Sequence, residues 1–131
     1  MSTQLRQAIA LAGPEGVDST KTTLGLVAHD ADDLGAGNAA KVYRALADDL
    51  GAPSVTYRPE LVAVTREVDK RAPGLVDKIV ADFVGTAQDD PSNILAFALA
   101  RELGAAAALG RGTTPFSIAA SFEFPYSDDA A

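Results

Sequence analysis

From Phe116 to Phe124 the chain alternates without a break. Phe116, Ile118, Ala120, Phe122 and Phe124 fall on one side, and Ser117, Ala119, Ser121 and Glu123 on the other. A period of two held over nine positions is the pattern of a half-buried strand, since helical spacing scatters these residues around the axis. Three of the five phenylalanines lie on that one face. A predicted strand constrains a fold more tightly than a predicted helix. Its N–H and C=O groups need a neighbour, and an isolated two-stranded ribbon is only marginally stable. Within the chain the available partners are weaker: residues 22–28, 54–57 and 61–65. The alternative is pairing with another subunit, which would also cover the apolar face. Phe116, Ile118, Phe122 and Phe124 are therefore the expected subunit-interface residues.

The rest of the chain reads as short amphipathic helices cut by glycine and proline. Leu5, Ala8, Ile9 and Ala12 share a helical face after a possible Ser2 N-cap, and Gly13-Pro14-Glu15-Gly16 is expected to end that helix. Leu24, Val27, Ala28, Ala31 and Leu34 mark a second helix, capped by Asp18 or Ser19 and closed by Gly35. A third is expected after an Asn38 cap, with Ala39, Val42, Tyr43, Leu46 and Leu50 inward and Gly51 at its end. Pro53 and Pro59 bias the residues before them away from helix, so 52–58 reads as an extended connection. Pro59 suits the first position of a fourth helix with Leu61, Val64, Val68 and Ala72 on one face, broken by Pro73-Gly74. A fifth carries Leu75, Val76, Ile79, Val80 and Phe83 inward and stops at Gly85. Asp90-Pro91 is a start signal for a sixth, burying Ile94, Leu95, Ala98 and Leu99; Ala105–Ala108 either extends it past Gly104 or forms a turn.

Composition removes several classes of function. The chain has 131 residues, enough for one core, and carries 18 acidic against 11 basic side chains, a net charge of −7. That balance argues against a nucleic-acid footprint, and Arg66, Lys70, Arg71 and Lys78 are offset by Glu67, Asp69 and Asp77. With no cysteine there is no disulfide framework, thiolate nucleophile or thiolate metal site, and with one histidine no pair of imidazoles. No apolar run approaches the roughly 18–20 residues that span a bilayer. The first residues, Met1 to Arg6, show no basic, then apolar, secretory leader, so cytoplasmic residence is the expectation.

Three segments carry possible chemistry. His29-Asp30-Ala31-Asp32-Asp33 could ligate a metal, but on a helix His29 and Asp32 or Asp33 share a face while Asp30 points elsewhere, so a solvated acidic helix end explains it as well. Residues Val27 to Asp33 resemble the zinc motif of Ala-His-Pro-Asp-Asp-Glu deacetylases. Here an extra residue separates His29 from the Asp pair, and Leu34 stands where the Glu belongs. Gly16-Val17-Asp18-Ser19-Thr20-Lys21-Thr22-Thr23 resembles the first phosphate loop of the sugar kinases related to actin, without the glycines between Asp18 and Thr20; a capped helix start is the competing reading. Gly110-Arg111-Gly112-Thr113-Thr114 could form an anion-binding nest or simply lead into the strand.

The expectation is an α+β chain. Residues 1–112 form a mainly helical domain of five to six short helices, and 113–131 a C-terminal β-strand arm with an acidic tail, in the same domain or exchanged with a neighbour. The expected function is non-enzymatic: a subunit of a larger assembly such as a virus particle or a connector-like ring. Its partners would be other protein subunits in a homo-oligomer, with no nucleic acid, membrane, metal or cofactor. The alternative is a small metal- or nucleotide-binding domain using the His29–Asp33 cluster or the Gly16–Thr23 loop.

Overall fold

Five helices follow one another in the computed structural model, which describes residues 3–51 and 59–112: α1 (Thr3–Asp33), α2 (Gly37–Gly51), α3 (Pro59–Arg71), α4 (Leu75–Asp89) and α5 (Ile94–Gly110). Among the described residues there is no strand, so the α+β expectation is corrected to an all-α fold. Two of the segments considered as strand partners, 22–28 and 61–65, are helical. Their short alternations are overridden by a longer period: Leu24 and Ala28 in the first, and Leu61, Thr65 and Val68 in the second, are buried at spacings of three and four. The third, 54–57, and the whole arm 113–131 with Phe116, Ile118, Phe122 and Phe124 lie outside the described residues.

The first two expected helices follow each other with no loop between them, so that α1 is the pair joined at a kink. Gly13 takes φ 75° and ψ 172°, breaking the helical ladder, and Pro14 restarts it at once. Proline lacks the N–H that a first-turn residue leaves unused and its φ is already helical, so no loop is needed. The second half thus begins before Asp18 and Ser19, and neither is its cap. At the other end the expected glycine stop holds. Gly35 is left-handed at φ 78°; its N–H donates to the Asp32 carbonyl at 3.0 Å, and the Ala36 N–H to the Ala31 carbonyl at 2.7 Å, the Schellman pairing.

Other boundaries move for identifiable reasons. α2 starts at Gly37, with the Ala40 N–H donating to the Ala36 carbonyl, so Asn38 is inside it and is not its cap. α4 continues through Gly85 to Asp89, because Ala87 is buried beyond the glycine. The cap of α5 is Asn93, whose side-chain oxygen accepts from the Ala96 N–H at 3.3 Å. Asp90 belongs to the preceding turn, where its carboxylate accepts from Ser92 Oγ at 2.5 Å. Ile94, at the first position of α5, is exposed and not inward as expected.

α5 is the centre of the packing. It touches α1, α3 and α4, and 12 of its 17 residues are buried. Residues Ala105–Ala108 continue the helix, as the strongest helix former should. Their small side chains let neighbouring backbones come close. At Gly110 an added Cβ would lie 3.3 Å from Thr65 Oγ1 and 3.4 Å from the Val62 carbonyl oxygen, so α3 crosses where α5 has no side chain. Thr65 Oγ1 donates to Val62 O at 2.8 Å and lies 3.5 Å from Ala106 O. Around this helix Leu5, Val42, Leu46, Leu61, Val68, Val76, Ile79, Val80, Leu95, Leu99 and Leu103 form one buried cluster.

Candidate functional site

The four helices α1, α2, α4 and α5 leave a half-open cleft of about 330 Å³. Its floor is apolar. Leu24 of α1 and Ala96 and Leu99 of α5 are buried there, and Val27 and Phe83 complete the lining. Its polar groups come from three places: Ser19, Thr20 and Thr23 on α1, Tyr43 on α2, and Asp82, Thr86 and Asn93 from α4 and the turn after it. Helical spacing explains the cluster on α1, since residues three, four and seven apart share a face. Thr20, Thr23, Leu24 and Val27 are related in that way.

The hydrogen bonds within the lining have a consistent sense. Thr20 Oγ1 donates to Gly16 O at 2.9 Å, Thr23 Oγ1 to Ser19 O at 3.0 Å, and Thr86 Oγ1 to Asp82 O at 3.1 Å. Each is a threonine bonding back to the carbonyl four residues earlier in its own helix. The Tyr43 and Phe83 rings meet at 6.1 Å between centroids with 60° between their planes, a tilted pair. Burial pushes the Tyr43 phenol above its ordinary range, and the nearby Asp82 charge pushes it further. The phenol therefore stays protonated through neutral pH.

A second, shallower cleft of about 270 Å³ lies between α2 and α3, lined by Lys41, Arg44, Ala45, Asp48, Glu60, Leu61 and Val64. Its cations already have partners. Lys41 Nζ donates to Glu67 Oε1 at 3.1 Å, and Arg44 pairs with Asp32. The hydrogen bond from Lys41, then the charges of Lys41 and Arg71, hold the Glu67 carboxyl below its usual range.

The segments singled out in the sequence are placed as follows. His29 Nε2 and Asp33 Oδ2 are 3.5 Å apart, one turn apart on α1 and both open to solvent, while Asp32 turns to Arg44 of α2. Among the described residues no group of three or more His, Cys, Asp or Glu is arranged to hold a metal ion. Gly16 lies in the first turn after the kink and residues 17–23 inside the helix, so the amides of 17–23 that a phosphate loop would present are committed to the helical ladder. Ser19, Thr20 and Thr23 from that segment nonetheless face the first cleft. Arg111 is not a free anion-binding group. Its Nε donates to Asp69 Oδ2 at 2.8 Å, and its Nη2 to Asp69 Oδ1 at 3.0 Å and Asp77 Oδ1 at 3.1 Å, tying the end of α5 to α3 and α4. The Asp69 hydrogen bond, which outweighs burial and is reinforced by Asp77, holds the guanidinium more firmly protonated than usual. The expected salt-bridged surface on α3 is present at Glu67, which also pairs with Arg71 at 3.2 Å.

Sequence reasoning missed Tyr43, Asp82, Thr86 and Asn93. Tyr43 fitted a core stripe and Asp82 an exposed helix face, and their meeting across two helices has no trace in local spacing. No protein family, curated protein or solved structure matches this chain. No helix among the described residues is long and apolar enough to cross a membrane.

Proposed function

We propose that this chain is a non-enzymatic assembly protein, a subunit that binds further copies of itself in a ring- or shell-like complex formed in the cytoplasm, such as a virus particle. The observation that supports the reading is where the chain spends its leucines. Leu11, Leu26 and Leu34 are 77%, 61% and 85% exposed along α1 and the turn after it, while α5 fills the core largely with alanine. Of these leucines, Leu34 was expected inward and is turned out. A leucine left in water forgoes about 1.5–3 kcal/mol that burial against a partner recovers. Leu26 lies on the last turns of α1 and Leu34 in the turn that follows, so both are open at the same end of the helix.

The partner is a second copy, and both copies are acidic. Association must therefore overcome like-charge repulsion, and added salt should strengthen it by screening. Light scattering on the full chain tests this. The expected mass is a multiple of 13.5 kDa that rises with salt, and the double variant Leu26→Asp, Leu34→Asp is expected to be monomeric with unchanged helicity. A wild-type chain that stays monomeric at its highest soluble concentration and high salt overturns the reading.

A further inference from the structure

We propose that the cleft between α1, α2, α4 and α5 binds an organic ammonium ion: an N–H-bearing cation on an apolar body about the size of an aryl ring. The inference stands apart from the assembly reading and uses different residues.

The sense of the hydrogen bonds carries it. A carbonyl oxygen can only accept, so the protons of Thr20, Thr23 and Thr86 lie on their bonds to Gly16, Ser19 and Asp82. What these hydroxyls keep for a ligand is lone pairs. Asp82 adds a carboxylate, which accepts only, and among the described residues lining the cleft there is no lysine, arginine or histidine. Donors are fewer: Ser19, the Tyr43 phenol, and the Asn93 amide nitrogen, whose oxygen is taken by the Ala96 N–H. A site rich in acceptors with one negative charge favours a ligand that brings N–H donors and a positive charge.

Shape and ring chemistry agree. The volume of about 330 Å³ falls in the range of small-molecule sites, and the buried Leu24, Ala96 and Leu99 give an apolar floor. The Tyr43 and Phe83 rings line the cleft, and aromatic rings attract a cation that lies over them. Acceptors of this kind favour primary and secondary ammonium over quaternary, which has no N–H to give. A carboxylate ligand is repelled by Asp82.

The test is an amide-resolved NMR titration of the full chain with four probes of one aryl frame: 2-phenylethylammonium, 2-phenylethanol, 3-phenylpropionate and phenyltrimethylammonium. The primary ammonium is expected to shift amides around residues 19–27, 43, 82–86 and 93–99. The alcohol and the quaternary ion should bind about tenfold more weakly, the size of one charge-assisted hydrogen bond, and the carboxylate should not bind. Asp82→Asn should lose about tenfold for the ammonium alone, and Thr86→Val part of that. Asp30→Asn, an exposed α1 carboxylate outside the cleft, should change nothing. Equal affinity for alcohol and ammonium, full affinity in Asp82→Asn, or no shifts with 2-phenylethylammonium at millimolar concentration would each overturn the proposal. Shifts confined to the acidic end of α1 would do so too, since they would mark non-specific ion pairing.

Discussion

Leu99 and Leu103 are one turn apart on α5, both buried within 1% of completely, and only Leu99 borders the cleft. Truncating each to alanine removes the same atoms, so the loss of apolar transfer is common to both. At about 0.8 kcal/mol for each of three carbons it comes to about 2.4 kcal/mol. The difference lies in the hole. Behind Leu103→Ala the cavity is enclosed, and a void on the order of 80 Å³ at about 24 cal/mol per Å³ adds about 2 kcal/mol. Behind Leu99→Ala the void merges with an existing open cleft, so most of that second term is absent. Leu103→Ala is thus expected to cost about 4 kcal/mol and Leu99→Ala about 2.5 kcal/mol. Urea unfolding followed by helical circular dichroism measures both, provided the m-values match. Equal costs, or a larger cost at Leu99, would refute the assignment of Leu99 to the cleft floor and the central, enclosed position of Leu103.

On α4, Ile79→Ala should destabilise by about 2–5 kcal/mol and its exposed neighbour Lys78→Ala by under about 0.5 kcal/mol, read from the same unfolding curves. Matching midpoints would refute the assigned buried face. Tyr43 makes stability fall at alkaline pH: above the ordinary phenol value of 10.0 the unfolded chain releases this proton while the folded chain, with its raised value, still holds it. The unfolded state then binds fewer protons, so stability declines as pH rises through that window and is unaffected by this group below it. Tyr43→Phe should show a smaller loss of urea midpoint between about pH 9 and 11 than the wild type, and an identical loss in both chains would show that the phenol is not held in a buried site beside Asp82.

Much of the helical architecture was legible locally. Gly35 and Gly74 stand where left-handed residues are needed, Pro59 starts α3, and the stripes Val42–Leu46–Leu50 and Val76–Ile79–Val80 face the core as their spacing implies. Gly13 ends the first helical stretch as expected, but Pro14 restarts the helix with no loop between, which the breaker cluster did not show. Gly85, read as a stop, lies inside α4, because burial of Ala87 beyond it outweighs a local cost of about 1 kcal/mol for a glycine. At Gly104 the extension, one of the two readings left open, is the one that holds. At 61–65, read as part of a helix and only weakly as a strand partner, the helix holds, with Leu61 and Thr65 buried.

Composition, charge and the absence of cysteine are set by the sequence alone, as are most helix positions, because each depends on residues no more than a turn or two apart. Tertiary structure decided the rest. It sent Leu34 to solvent and Ala106 to the core, gave Arg111 to Asp69 and Asp77, and set Tyr43 beside Phe83 and Asp82 over an apolar floor. Those outcomes depend on which helices meet and at what distance. That is set by how small and large side chains fit between α5 and its neighbours, and no local pattern along the chain records it.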